Sequence, residues 1–207
     1  SLDKFDINLY HTINLDKQSI LGFKKSEIKF KEYTWFINEN ETNDNKIIFD
    51  KFLNNFDFQK ISLSHNDQKM DFFGTMRDST YKDFQLTFND VDLKKVTPNI
   101  DSLSFSGKIN GNIKYKQDKN NYDPQSSITI DSLGINKILI GNLDFNIDGN
   151  DKFNQFKVNS AITKNGADRF FLNGIVNFVG DQSSLELDAG FNEFDLAPFG
   201  PLLGSVL

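Results

Sequence analysis

The chain has 207 residues, a formal net charge of −6 and no cysteine. That length accommodates one or two ordinary domains. The acidic balance argues against nucleic acid and against electrostatic docking on anionic lipid head groups, because both require a basic surface. Without cysteine, disulfides, thiolate chemistry and cysteine-ligated zinc are excluded.

The first strand-like segment begins near the start of the chain. From Phe5 to Leu15 the odd positions are mostly apolar and the even positions mostly polar. His11 lies on the apolar side of this alternation, so we expect it to pack in the core, whereas His65 lies in a turn-like segment and is expected in solvent. Trp35 sits within another alternating segment and is also expected in the core.

The same period of two continues along most of the chain. Successive side chains of a strand point to opposite faces, so each such segment has one apolar and one polar face. The later alternating segments are Phe84–Phe88, Leu103–Ile113, Leu143–Ile147, Phe156–Val158 and Leu185–Phe191. We predict an all-β protein with about twelve strands.

Turn-forming residues separate these segments. Asn165-Gly166 is a strong hairpin signal, since both residues tolerate positive φ. A longer turn is predicted at Lys116–Pro124. The best helical candidate is a short turn near Ala197–Val206, whose proline and glycine residues limit its length.

Two pairs of segments resemble each other. Met70–Met76 matches Phe170–Val176 in its apolar and glycine positions, at an offset of 100 residues. Phe88–Leu93 matches Phe191–Leu196 at an offset of 103. The order and spacing of the matches predict an internal repeat of about 100 residues.

We therefore predict one elongated β-repeat fragment spanning residues 1–207. Its units cover approximately 1–96 and 97–199, with a further unit starting in 200–207. The chain opens without a signal peptide and is interpreted as an excised piece, so targeting and anchoring segments are expected outside it.

The apolar face of so many strands must be buried against another surface. It could pack on a second sheet, close as a barrel, or line a curled open sheet with an apolar inner groove. Repetition favours the elongated, curled sheet. Glycines on the inward side, at Gly74, Gly107, Gly111 and Gly174, indicate bends or close approach of neighbouring strands.

The odd or even position of a residue along its strand predicts whether its side chain faces this groove. A shift of the strand register by one residue would bury the charged side chains instead. The polar neighbours expected in water are Ser104, Lys108, Asp144, Asn146 and Lys157. The predicted groove residues are Phe105, Ile109, Ile113, Leu143, Phe145, Ile147, Phe156, Val158, Leu185 and Leu187.

Catalytic motifs are lacking in the sequence. The two histidines cannot form a three-histidine zinc site, and neither a Gly-x-Ser-x-Gly elbow nor a phosphate-binding loop occurs. The carboxylates Asp90 and Asp92 lack the rest of a calcium loop. We predict that the chain is not an enzyme and holds no metal or cofactor.

Two short triplets allow a modification hypothesis. Asp101-Ser102-Leu103 and Asp131-Ser132-Leu133 are similar to the Asp-Ser/Thr-apolar sites that Bacteroidetes-type bacteria O-glycosylate in exported proteins. Ser102 and Ser132 are therefore candidate O-glycosylation sites. The alternative is turn chemistry ahead of a strand.

Three stretches together resemble the TamB (translocation and assembly module) family in a Bacteroidetes-like version. They are the Phe-Asn-Asp/Glu-x-Asp-Leu boxes at Phe88–Leu93 and Phe191–Leu196, the segment Leu196–Leu207, and Gly107–Asn112. The resemblance covers most of the chain and is weakest before Lys46. It is a style of repeat and contains no catalytic signature.

The resemblance implies a periplasmic β-taco, anchored at the inner membrane through a segment absent from this fragment. The groove of such proteins is proposed to carry phospholipid acyl chains between membranes and to support outer-membrane biogenesis. The expected partners are phospholipids and, through the parent protein, an outer-membrane barrel of the assembly-factor class.

Three other functions fit parts of the pattern. The sheet edge could pair with client β-strands as an assembly scaffold. Ten-residue alternation is also typical of a transmembrane barrel. A surface β-helix enzyme acting on polysaccharide would need a charged cluster on one sheet face, which the sequence does not show.

Overall fold

The computed structural model of the chain describes residues 3–98, 103–180, 182–195 and 197. Of these residues, 71 % lie in strands. Their single helix is one turn long. The all-β prediction is confirmed, and the predicted helical turn near Ala197–Val206 lies almost entirely outside the described residues.

Fifteen strands form within the described residues, three more than expected. They are β1 (Lys4–Asp6), β2 (Leu9–Ile13), β3 (Ser19–Phe23), β4 (Ser26–Phe30), β5 (Tyr33–Ile37), β6 (Lys46–Phe49), β7 (Asn55–His65), β8 (Gln68–Arg77), β9 (Tyr81–Asp92), β10 (Phe105–Asp118), β11 (Asn121–Ile135), β12 (Ile138–Gly149), β13 (Gln155–Lys164), β14 (Ala167–Val179) and β15 (Gln182–Phe191); the helix α1 (Leu93–Val96) follows β9.

All fifteen strands belong to one open antiparallel sheet. From β7 to β15 each strand pairs with the next one in the sequence, which makes a nine-stranded meander. Consecutive antiparallel strands need only short turns, and the alternating residues supply both faces. The long strands therefore follow directly from the sequence pattern.

The sheet divides at β7. One edge of β7 pairs with β8 along its length. The other edge pairs with β6 near the start of β7 and with β5 near its end. Two arms, β6–β3–β2 and β5–β4–β1, thus leave the same strand.

Two asparagines satisfy the backbone at this division. Asn45 is 3 % exposed; its side chain accepts from the Ser62 N–H at 2.7 Å and donates to Asn38 Oδ1 at 3.1 Å. The Asn38 amide donates to the carbonyl of Phe23 at 2.7 Å. Both asparagines have positive φ, which asparagine tolerates better than most residues.

Asn45→Ala is expected to lower the free energy of unfolding by about 2–4 kcal/mol, because it leaves the Ser62 N–H unpaired and puts alanine in the left-handed region. Urea unfolding followed by circular dichroism measures this loss. Asn40→Ala, an exposed position in the same loop, is the control and should change little. Equal unfolding midpoints for the two variants would contradict this role of Asn45.

The predicted first strand is two strands. Residues 7 and 8 separate β1 from β2, and the Asn8 N–H donates to the hydroxyl of Ser26 at 2.9 Å. Ser26 is fully buried, and its hydroxyl also reaches the carbonyl of Lys24 at 3.0 Å. The break arises because Asn8 binds a side chain where a strand residue would bind backbone.

The predicted turn at Lys116–Pro124 was too long. Strand β10 continues to Asp118 and β11 begins at Asn121, so Pro124 lies within a strand, opposite Tyr115. The other edge of β11 starts pairing with β12 only at Gln125. Proline is tolerated at position 124 because no hydrogen bond from its nitrogen is needed there.

Two loops of the sheet share the same hydrogen bonds at an offset of 100 residues. In 50–55 the Leu53 N–H donates to the Asp50 carbonyl; in 150–155 the Phe153 N–H donates to that of Asn150. Leu53 has φ 58° and Phe153 φ 57°. The first side chain of each loop also accepts from the backbone N–H four residues on, which lowers the pKa of Asp50.

Candidate functional site

The cross-strand register aligns alternate residues of successive strands on one side of the meander, here called the apolar face. Ile113 stands opposite Leu86 on one side and Ser126 on the other, and the same row continues across β12 to β15. The members of this row are Leu86, Ile113, Ser126, Ile147, Val158, Gly174 and Leu187.

Two neighbouring rows complete the middle of the apolar face. One row is Phe88, Gly111, Ile128, Phe145, Ser160, Leu172 and Ala189. The other is Val91, Ile109, Ile130, Leu143, Ile162, Phe170 and Phe191. Phe156 and Leu185 both stand opposite Val176, and Phe105 stands opposite Ile135. All ten predicted groove residues therefore share this face.

The opposite face carries the charges. Lys108 stands opposite Asp131 and Lys157 opposite Asp148. Such opposite-charge pairs favour the observed register. Along β11, exposed and half-buried residues alternate over Asn121–Ile130. The residues that were predicted to face water, such as Lys108 and Lys157, lie on this charged face.

Burial divides the apolar face into two parts. Near one end of the strands a core forms from Leu93, Leu133, Ile135, Ile140 and Ile162. Leu93 comes from α1, which places it over the ends of the strands. The predicted groove residues packed against this core are Phe105, Ile109 and Leu143. These three side chains stabilise the fold.

Away from this core, three of the predicted groove residues are exposed. Ile113 is 42 % exposed, Leu187 46 % and Leu185 65 %. The chain exposes 13003 Å² of surface, whereas a compact protein of 23.7 kDa exposes about 9,800 Å².

Aromatic residues that sequence reasoning missed line the far end of the strands. Phe153 lies in the loop after β12, with its ring centroid 5.8 Å from Tyr115, 5.5 Å from Tyr122 and 5.3 Å from Phe156. Burial raises the pKa of Tyr115. Strand parity could have found Tyr115, but no strand pattern places a loop residue such as Phe153.

The apolar face also extends over β7 to β9. The Phe58 ring lies 5.5 Å from Phe72 and 5.6 Å from Phe84, edge to face in both cases. Phe56 stacks between Phe49 and Phe58 at 5.6 and 6.1 Å. Alternation at Phe84–Phe88 indicated this region, although none of its residues was among the predicted groove set.

Inward glycines mark close approaches between strands, as predicted. A side chain at Gly74, Gly111 or Gly174 would collide with a carbonyl oxygen of the next strand, and one at Gly107 would meet Ile130 at 2.8 Å. Gly111 has φ +128° and Gly107 +129°, which only glycine adopts readily. The strand register shifts beside Gly107 and Gly111.

The burial of the two histidines is the reverse of what the sequence predicted. His11 is exposed because β2 lies at the edge of one arm. His65 is packed: its Nδ1 lies 2.7 Å from the carbonyl oxygen of Thr34, and its ring lies 5.4 Å from Trp35. Trp35 is 2 % exposed and belongs to the core, as expected.

The candidate O-glycosylation sites differ in what the structure describes. Ser132 is exposed at a bulge inside β11, where its N–H donates to Asn142 Oδ1 at 2.8 Å. It therefore does not precede a strand, as the turn interpretation required. Ser102 lies outside the described residues. Glycosylation of either serine stays a prediction.

A polar cleft of about 360 Å³ lies at the division of the sheet and is lined by residues such as Asn38, Lys60 and Gln68. Across the described ranges, no three His, Asp or Glu side chains come together in a way that could hold a metal ion. Nor does this part of the chain contain a helix long and apolar enough to cross a membrane.

Comparisons of the chain with family models, with curated proteins and with solved structures found no match. The resemblance to the TamB family therefore stays a prediction from the sequence motifs. What distinguishes this molecule structurally is an open sheet with one apolar face and one charged face, so the apolar face is the candidate functional site.

Proposed function

We propose that this chain is a section of an envelope protein that carries phospholipid acyl chains along its apolar face, by binding and without catalysis. The observation that supports this most is the exposure of apolar side chains away from the core, at Ile113, Leu185 and Leu187. Large exposed apolar surfaces on soluble proteins usually have a ligand or partner. The motifs shared with the TamB family suggest that this ligand is phospholipid.

The dimensions of the apolar face suit an acyl chain. The row from Leu86 to Leu187 crosses seven strands, and neighbouring strands lie about 4.8 Å apart. The row is therefore about 29 Å long, which is enough for one acyl chain, since a chain spans about 15 Å, half of the roughly 30 Å hydrocarbon thickness of a bilayer. Each CH₂ group removed from water contributes about 0.8 kcal/mol.

Repetition would extend such a surface. We interpret the matched loops at 50–55 and 150–155 as parts of an internal repeat of about 100 residues. Under this proposal, further units in a parent protein would lengthen the groove across the periplasm. Anchoring at the inner membrane and contact with an outer-membrane barrel would belong to that parent, which would support outer-membrane biogenesis.

A photo-crosslinking amino acid at Ile113 tests where lipid binds. Ile113 is on the open part of the apolar face, and Lys114, its neighbour on the charged face, is the control. We expect phospholipid capture in cells at position 113 and little at 114, measured by mass spectrometry of the crosslinked chain. Equal capture at both positions would contradict lipid binding on the apolar face.

A further inference from the structure

Strand β15 forms one outer edge of the sheet. Strand β15 pairs with β14 along ten residues, and no other strand of the described chain pairs with it. An edge strand of this length presents unpaired backbone groups that can accept a further strand. The edge also ends the apolar face, where Leu185 and Phe191 are 65 % and 58 % exposed.

Strand β9 corresponds to β15 in the predicted repeat, and the edge of β9 that matches the outer edge of β15 is paired with another strand. Segments Phe88–Leu93 and Phe191–Leu196 match at an offset of 103 residues. Positive φ recurs at the matching positions, at Asp90 in β9 (51°) and at Glu193 just after the end of β15 (48°). One edge of β9 pairs with β8, as β15 pairs with β14, and its other edge is covered by β10.

Side chains of β10 form hydrogen bonds with the backbone of the bulge in β9. The Asp90 N–H donates to Asn110 Oδ1 at 2.8 Å, and Lys108 Nζ donates to the Asp90 carbonyl at 3.2 Å. Strand pairing shifts register at the same place, between Ile109 and Gly111. A strand that covers such an edge must therefore combine apolar alternation with polar residues at the bulge.

We propose that the outer edge of β15 is a docking site for a β-strand with the sequence pattern of β10. The pairing of β9 with β10 sets the register: the incoming strand places its Gly111 position opposite Phe191 and its Ile113 position opposite Ala189. Its alternate residues then continue the apolar face. This inference rests on strand pairing and is independent of lipid carriage.

A synthetic peptide with the sequence of residues 103–118 tests the docking. The chain has no cysteine, so single cysteines report register without background. Directly opposite side chains in an antiparallel pair are close enough for a disulfide. Ala189→Cys in the full chain should crosslink to the peptide carrying Ile113→Cys.

Asp188→Cys in the chain is the matched control, because residue 188 points to the charged face. We expect crosslinking to the Ile113→Cys peptide to be at least about tenfold stronger at position 189 than at 188. A scrambled peptide of the same composition should not crosslink. Equal yields at 188 and 189, or a homodimer of chains crosslinked through residue 189 in place of the peptide, would overturn the proposal.

Hydrogen exchange gives a second measurement on the unmodified chain. Binding of the peptide without cysteine should slow exchange of the β15 amides, which become paired, while the exposed loop at Glu39–Thr42 stays unchanged. Unchanged exchange in β15 at saturating peptide would overturn the proposal even if the cysteine variants fold poorly.

Discussion

Gly111→Val is expected to be among the most destabilising single substitutions in this chain. Gly111 has φ +128°, and a side chain there would collide with the carbonyl oxygen of Ser127 on β11. Strand β10 pairs on both edges, so neither neighbour can move freely. Strain and collision together should lower the free energy of unfolding by about 3–5 kcal/mol.

Thermal unfolding followed by circular dichroism measures this effect, with an expected fall in Tm of about 10 °C. Gly180→Asn is the control: Gly180 also has positive φ, but a side chain there meets nothing within 4 Å. Asparagine tolerates this conformation, so the control should unfold near the temperature of the unmodified chain. Similar Tm values for the two variants would show that β10 does not approach β11 as closely as described.

Ile113→Asp is expected to remove most of the lipid bound to the purified chain. An acyl chain lying along the Leu86–Leu187 row would have to cover the carboxylate, and burying an unpaired charge is strongly unfavourable. Native mass spectrometry should show bound phospholipid on the unmodified chain and at least about tenfold less on the variant. Because Ile113 is 42 % exposed, water can reach the new carboxylate and the sheet should keep its strand content.

Lys114→Asp is the matched control for this substitution. It introduces the same carboxylate one residue away, on the charged face, and should leave the lipid content unchanged. A variant at Ile113 that keeps its lipid while retaining its fold would count against carriage along this row. Ile109 is less suitable for the test, since it packs against the core around Leu133 and Ile135.

Much of the apolar face could be predicted from the sequence, because a strand's side chains alternate whatever its partners are. Phe105, Ile113 and Leu187, for example, lie on one face of the sheet. Close approaches between strands could also be predicted from glycines such as Gly111, since only glycine fits where strands approach closely.

The surroundings of residues near the end of a strand pairing, or on an edge strand, were harder to predict. Pro124 was placed in a turn because turn-forming residues precede it, yet it lies within β11, and pairing with β12 begins one residue later. His11 was expected in the core from its parity, but β2 lies at the edge of an arm. Local pattern shows which way a side chain points, and only the neighbouring strands decide whether anything covers it.

The sequence by itself determined that the protein is all-β and that each long strand has one apolar and one polar face, since both properties depend on residues adjacent in the chain. The tertiary structure decided where the sheet divides, through Asn38 and Asn45, and which apolar residues become core, through Leu93 of α1. These outcomes depend on contacts between residues distant in sequence, for which strand alternation carries no signal.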